Sequence, residues 1–259
     1  MKNKISIYLE VYNEAHRLQK CLSSFQWADQ IVIFVKKSDD DTLEIAKQFA
    51  THVYEVDYCD GNENLISNIN SHTWNEWILF CTASSAMDDS LVPMVVEKTS
   101  GEFEYDAIGL PYKMTVFGLS NKCSPWGAKY KYGLIRKASL VVSSKLHQEF
   151  SWTGDRIGVI EVQSTDGRFH HNTHQNLDEF FSKHLRYISL ESDQFISEHG
   201  DKAYRYALVD FLRSIAFVSI KRRSIYRGRD GFVMSLAYVS YFFNRLLSVW
   251  FKLRSNKNI

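Results

Sequence analysis

Three imidazoles set close together, His170, His171 and His174, form the densest group of histidines in the sequence. Imidazoles three or four residues apart share a metal readily only on a helix, and Asn172-Thr173 between these do not favour one. Packing and hydrogen bonding is the simpler reading of the cluster. Carboxylates pair at Asp88-Asp89 and run together at Asp39-Asp40-Asp41. Both groups precede helical patterns, and Asp88 reads as an N-cap for a helix over 89–99 before it reads as a cation ligand. Lys36-Lys37 place two positive charges after a short apolar run. Cys21, Cys59, Cys81 and Cys123 are widely spaced without a Cys-x-x-Cys pair, so reduced thiols are expected. Trp126, Tyr130 and Trp152 could stack on sugar faces, and core packing explains them equally well.

Such residues need elements to hold them. Residues 4–11 are β-rich, and Leu18, Cys21, Leu22 and Phe25 fall on one helical face. Ile31–Val35 is a continuous apolar run that suits a strand buried on both sides. Helix, strand and helix follow over 42–50, 53–56 and 65–73, then a strand over 77–81. Four alternations with short connections predict a parallel, doubly wound α/β sheet. Ligands of such sheets sit at the carboxyl ends of the strands. That directs attention to Glu10–Glu14, Val35–Asp41 and Cys81–Asp88. Beyond residue 100, strands over 107–111, 134–137 and 158–162 suit a mixed or antiparallel region. From Leu177 onward the pattern is helical, over 177–198, 203–221 and 232–254. The division expected is a domain over 1–175 and a helical region over 176–259.

The chain has 259 residues, 45% hydrophobic and 24% charged, which excludes disorder, collagen and coiled coil. Its net charge of +1 hides an asymmetry. Residues 201–259 carry 12 Lys/Arg against 3 Asp/Glu and 12 of the 37 aromatics, while the rest is acidic. Basic residues bracket the apolar stretches of this tail, which suits an interfacial helix on an anionic surface; a core helix or an oligomer interface is the alternative. No run reaches ~18 uninterrupted apolar residues, so a membrane-crossing helix is not expected. The first residues lack the apolar core and cleavage site of a signal peptide. Nucleic acid is not an expected partner, since the basic residues flank apolar helices and no recognised motif is present.

Several segments, in order, resemble glycosyltransferase family 2, and most closely its bacterial lipopolysaccharide-core β-glucosyltransferase type. They are Ile5-Ser-Ile with Tyr12-Asn-Glu, Trp27-Ala-Asp-Gln-Ile-Val-Ile, Asp40-x-Thr42-Leu-Glu-Ile-Ala, Glu76-Trp-Ile-Leu-Phe, Leu146-His147, Phe169-His-His, Leu185-Arg-Tyr-Ile-Ser-Leu-Glu and Arg227-Gly-Arg-Asp-Gly-Phe. The resemblance implies a GT-A fold: a Rossmann-like, mainly parallel mixed sheet flanked by helices, here with a helical C-terminal extension. It implies transfer of a sugar from a nucleotide-activated donor to a lipopolysaccharide or capsule-type glycan, with inversion. The donor would meet Leu9, Glu10, Val11, Glu14, Lys36, Lys37, Asp40, Thr82 and Ser84, and the acceptor Trp126, Tyr130, His170 and His171.

The sequence departs from the family where donor chemistry belongs. Thr82-Ala83-Ser84 replaces the family's Asp-x-Asp, so hydroxyls stand where a divalent cation needs charged oxygens. Val35 takes the place of an Asp expected at the nucleobase, and Leu65-Ile66-Ser67 replaces a Gln-Lys-x-Asn-like stretch. No metal or other cofactor is therefore expected, and Lys36 and Lys37 are the candidate substitutes against the diphosphate. The family's His-Glu pair reads His147-Gln148-Glu149 here. Gln148 holds the acid's place and cannot take a proton, which leaves Glu149 and His147 as the candidate bases. The expected partners are a nucleotide sugar, a glycan or lipid-linked acceptor and the inner face of the cytoplasmic membrane. Self-association is open, and so is the alternative of a non-catalytic relative that binds glycan or a partner transferase.

Overall fold

Alternate residues of the first strand, β1 (Ile5–Val11), serve two different cores. Ile5, Ile7, Leu9 and Val11 join one cluster, and Tyr8 joins another on the opposite face. This double burial is why the strand reads as nearly continuous apolar sequence rather than as a strict alternation. The computed structural model describes residues 4–59, 64–101, 103–119, 124–143, 150–163 and 167–257.

The chain divides into two compact units: residues 1–113 with 128–172, and residues 114–127 with 173–259. In the first, β1 is followed by α1 (Ala15–Ser23), β2 (Gln30–Lys36), α2 (Thr42–Phe49), β3 (His52–Val56), α3 (Leu65–Asn70) and β4 (Trp77–Phe80). The three strand pairs β1–β2, β2–β3 and β1–β4 are all parallel, as the alternation predicts. The expected face of α1 is the buried one, with Leu18, Cys21, Leu22 and Phe25 all at 1% exposure or less.

A short strand, β5 (Ser85–Met87), then precedes α4 (Val92–Ser100). It has no counterpart in the sequence reading. The mixed region comprises β6 (Ala107–Val116), β7 (Tyr130–Arg136), β8 (Leu140–Val142), β9 (Phe150–Trp152), β10 (Ile157–Val159) and β11 (Phe169–Thr173). β7 runs antiparallel to β4 and β6, and the strand order along the sheet is β3-β2-β1-β4-β7-β6-β11-β5. The result is the mixed, mainly parallel sheet expected.

One buried charge fixes the far part of this sheet. Asp106 accepts hydrogen bonds from Ser139 Oγ at 2.8 Å and from the Arg156 guanidinium at 2.9 and 3.2 Å. Arg156 and then Ser139 hold its carboxyl down to about 2. Gly154 lies against it at φ +93°, where a Cβ would stand 2.3 Å from Asp106 Oδ2. A depressed acid contributes stability above its unfolded value of 3.8 and loses it as pH falls toward 2. Thermal unfolding between pH 5 and 2 should therefore show a steeper loss of Tm for the native chain than for Asp106→Asn. Equal slopes would remove Asp106 from the acid response.

The second unit is helical: α5 (Leu177–His199), α6 (Ala203–Ala216) and α7 (Gly228–Lys257). Asn176 caps α5 by accepting from the Glu179 amide at 2.8 Å. The expected helix over 203–221 is α as far as Ala216 and widens into a π turn over Phe217–Lys221. α7 packs on α5 and α6. Arg245 pairs with Asp210 at 2.8 Å and Glu191 at 3.6 Å, and Lys252 with Asp193 at 2.7 Å. Contrary to the sequence expectation, Gly228–Ser255 is long and apolar enough to cross a membrane by length and composition, an 18-residue stretch within it having a mean hydropathy of 1.3.

Candidate functional site

β1, β2 and β4 lie in register, with Glu10 opposite Phe34 and Tyr8 opposite Phe80, so their carboxyl ends come together. Side chains on the Tyr8 face then meet across the strands. Glu10 pairs with Lys36 at 2.7 Å, both side chains only 12% exposed. Tyr8 donates its hydroxyl to Glu10 at 3.0 Å, and Asn68 donates its amide to Glu10 at 3.2 Å. Lys36 also donates to the Cys59 carbonyl at 3.0 Å. Burial by itself would lower the Lys36 pKa, but Glu10 outweighs it and holds the ammonium above its ordinary value. Burial and the neighbouring Glu10 push the Tyr8 hydroxyl up, so it stays a donor.

Other expected donor-side residues divide by face. Leu9 and Val11 are buried in the core, so only their main chain is available to a ligand. Asp40 accepts from the amides of Thr42 at 3.0 Å and Ala15 at 3.1 Å, and Glu14 pairs with Arg17, so both brace the turn after β1. Lys37 is 73% exposed and pairs with Asp57, itself 87% exposed, at 2.7 Å.

At the end of β4 the Thr82 hydroxyl lies 2.9 Å from that of Ser84 and 3.2 Å from that of Ser85. These neutral oxygens are used on one another, and they do not fit a divalent cation, which requires several oxygen ligands and gains from carboxylate charge. Among the described residues no group of three His, Cys, Asp or Glu side chains could hold a metal ion. Thiolate chemistry is also absent at Cys21 and Cys81. Burial pushes Cys21 up to about 12 and Cys81 well above its ordinary value.

Thr82 and Ser84 continue into a polar strip. Ser84, Ala86 and Asp88 share the partly open face of β5, while Ser85 and Met87 are buried. β11 runs antiparallel alongside, with His170 opposite Ala86. His170 Nε2 lies 3.0 Å from both carboxylate oxygens of Asp88, and the Arg168 amide donates to Asp88 at 2.9 Å. Partial burial opposes the Asp88 charge, but these hydrogen bonds prevail and hold its carboxyl below the usual range.

The expected cap is thus corrected. Asp88 stands at the N-cap position of the turn Asp89–Leu91, yet its side chain caps nothing and reaches across to β11. Strand alternation turns the adjacent imidazoles to opposite faces, so His171 instead meets the Tyr112 hydroxyl at 2.7 Å. His174 belongs to the helical unit, where its ring lies 4.7 Å from that of His184. Trp126 is also in that unit, against Tyr238. Tyr130 is on β7 with Lys129 over its ring. His147, Gln148 and Glu149 lie outside the described residues. Asn68 was missed because only long-range packing brings it to Glu10, and Tyr8, two residues before Glu10 on the same face of β1, because it reads as strand core.

Residues 6–127 match the family described as Glycosyl transferase family 2. Among solved structures, TarS of S. aureus is 12% identical at a TM-score of 0.49, covering 86% of this chain and 45% of its own. This chain therefore spans under half the length of that protein. Residues 1–349 of TarS in complex with UDP are 11% identical at a TM-score of 0.49, covering 98% of this chain and 91% of that one. The glucosyl-3-phosphoglycerate synthase of Mycobacterium tuberculosis, in complex with Mn²⁺, UDP and glucosyl-3-phosphoglycerate, is 18% identical. It covers 43% of this chain and 44% of its own at a TM-score of 0.35.

Proposed function

We propose that the protein, whose residues 6–127 match the family described as Glycosyl transferase family 2, transfers a sugar from a nucleotide-activated donor, with inversion and without a metal, to a lipopolysaccharide or capsule-type glycan at the cytoplasmic face of the cell membrane. The observation that carries this reading is the joint carboxyl end of β1, β2 and β4, which carries the Glu10–Lys36 pair and, just after β4, the Thr82–Ser84 hydroxyls, within the residues that match that family.

The diphosphate needs a counter-charge as the sugar leaves. Lys36 is committed to locking Glu10, whereas Lys37 is held by a solvent-exposed pair with Asp57, which water and salt screen. Lys37 can exchange Asp57 for phosphate at little cost. The acceptor hydroxyl needs a base within reach. Glu149 and His147 are the candidates by sequence. The hydrogen bond from His170 to Asp88 supports a third, since it leaves the lone pair on the other ring nitrogen, Nδ1.

Calorimetry of the full chain with a panel of nucleotide sugars, with and without Mn²⁺, tests the reading. Binding that needs no Mn²⁺ and weakens about tenfold in Lys37→Ala is expected, by analogy with a charge-assisted phosphate contact. The neutral Thr82–Ser84 pair favours a second reading, a non-catalytic relative that binds glycan or a partner transferase. That reading prevails if no nucleotide sugar binds at all.

A further inference from the structure

The exposed apolar residues of α7 share one side of the helix, a stripe with Val233 and Phe251 along its edge. Phe232, Leu236, Phe243, Leu247 and Trp250 recur at helical spacing and are all exposed. Met234, Ala237, Leu246 and Val249 bury the other side of this helix, while only 28% of its apolar 18-residue stretch is buried, which leaves the stripe uncovered. Arg229 lies three residues before this stripe and Arg254 four residues after it, both exposed and on the same face. The turn leading into α7 continues the pattern. Ile220 is 72% exposed and Tyr226 73%, set among the exposed Lys221, Arg223 and Arg227.

This turn is firmly built. Ser224 is buried and its hydroxyl lies 2.7 Å from that of Ser235. Gly231 packs so closely that a Cβ would stand 2.3 Å from the Ser224 carbonyl. The packing holds Ile220 and Tyr226 outward.

We infer that the α7 stripe and the basic turn before it form a docking face for an anionic bilayer surface, with the helix lying in the plane of the headgroups. Large apolar side chains enter the acyl boundary while the bracketing arginines meet anionic headgroups. A second copy of the chain fits this face poorly. Both ends of the stripe are basic, so two copies meeting in either direction would set arginine against arginine. A spanning helix fits poorly as well. Arg245, near the middle of Gly228–Ser255, is tied to Asp210 and Glu191 of the neighbouring helices.

The inference deepens the membrane reading above but is independent of transfer chemistry, so vesicle binding and nucleotide calorimetry fail separately. The test is flotation of the full chain with phosphatidylglycerol-containing and with pure phosphatidylcholine vesicles. Binding is expected only with the anionic vesicles, and it should be released by carbonate extraction. Leu236→Asp/Leu247→Asp and Arg227→Glu/Arg229→Glu should each lower it on the order of tenfold, with helical circular dichroism unchanged. Equal binding to both vesicle types, resistance to carbonate, or flotation unchanged in both variants would overturn the inference. So would a native dimer by light scattering that Leu236→Asp/Leu247→Asp converts to monomer while flotation is untouched. If either variant loses its helical signal, a third, Phe243→Ser/Trp250→Ser, carries the same comparison.

Discussion

Glu10→Ala is expected to cost the sheet unit about 3–5 kcal/mol, the range for removing one partner of a buried ion pair. It strands the Lys36 ammonium at 12% exposure and leaves the Tyr8 hydroxyl and Asn68 amide without their shared acceptor. Hydrogen exchange of the β1 and β2 amides is the measurement, because it reports this unit without contribution from the helices. Adding Lys36→Met should recover much of the loss, since a neutral, similarly long side chain removes the stranded charge. Failure of that recovery would mean that the carboxylate acts through something other than the ion pair. The pH response has a definite sign. Lys36 is raised above its unfolded value of 10.5, so the pair contributes fully below that value and its contribution fades as pH climbs through the higher folded value. Glu10→Ala/Lys36→Met should therefore lose less protection than the native chain in strong alkali. In the proposed donor site, nucleotide-sugar affinity should also fall with Glu10→Ala, because the same network braces the carboxyl ends of β1 and β2.

The sheet and its helices were legible because each is specified locally. The face Leu18, Cys21, Leu22 and Phe25 needs only helical spacing and one core to bury against. The apolar runs of β1, β2 and β4 follow from burial on both sides. What escaped was set by partners distant in sequence. Asp88 has the composition of a cap, and nothing near it announces His170, 82 residues away. β5 is three residues long and exists because β11 pairs with it. Asn68 follows the stretch Leu65-Ile66-Ser67, where the family pattern is broken, yet α3 turns its amide toward Glu10. The lysines were legible as charge but not as a division of roles. Pairing across β1 and β2 buries Lys36, while Lys37, one residue on, stays in solvent. The charge asymmetry of the last 59 residues pointed to a surface, and helix geometry assigns that surface to one stripe.

Asp88→Ala and His170→Ala should each slow sugar transfer by about 10²–10⁴-fold while nucleotide-sugar affinity stays within about twofold, the pattern of a lost general base. In the step they would serve, the acceptor O–H gives its proton to His170 Nδ1 and the oxygen bonds to the anomeric carbon. On the opposite face the bond to phosphate breaks, and the nucleotide leaves as its diphosphate. In that step Asp88 would contribute in two ways. Accepting from Nε2 fixes the tautomer that exposes Nδ1, and its charge stabilises the imidazolium formed. The hydrogen bonds from His170 and the Arg168 amide hold that carboxyl below the usual range. Asp88→Asn keeps an acceptor oxygen but no charge, so its rate should fall between those of the native chain and Asp88→Ala. Because the two side chains act as one unit, the double variant should be scarcely slower than His170→Ala alone. Additive losses would make the two residues independent. Parallel loss of affinity and rate would assign the pair to holding β5 against β11, and would return the base to Glu149 or His147.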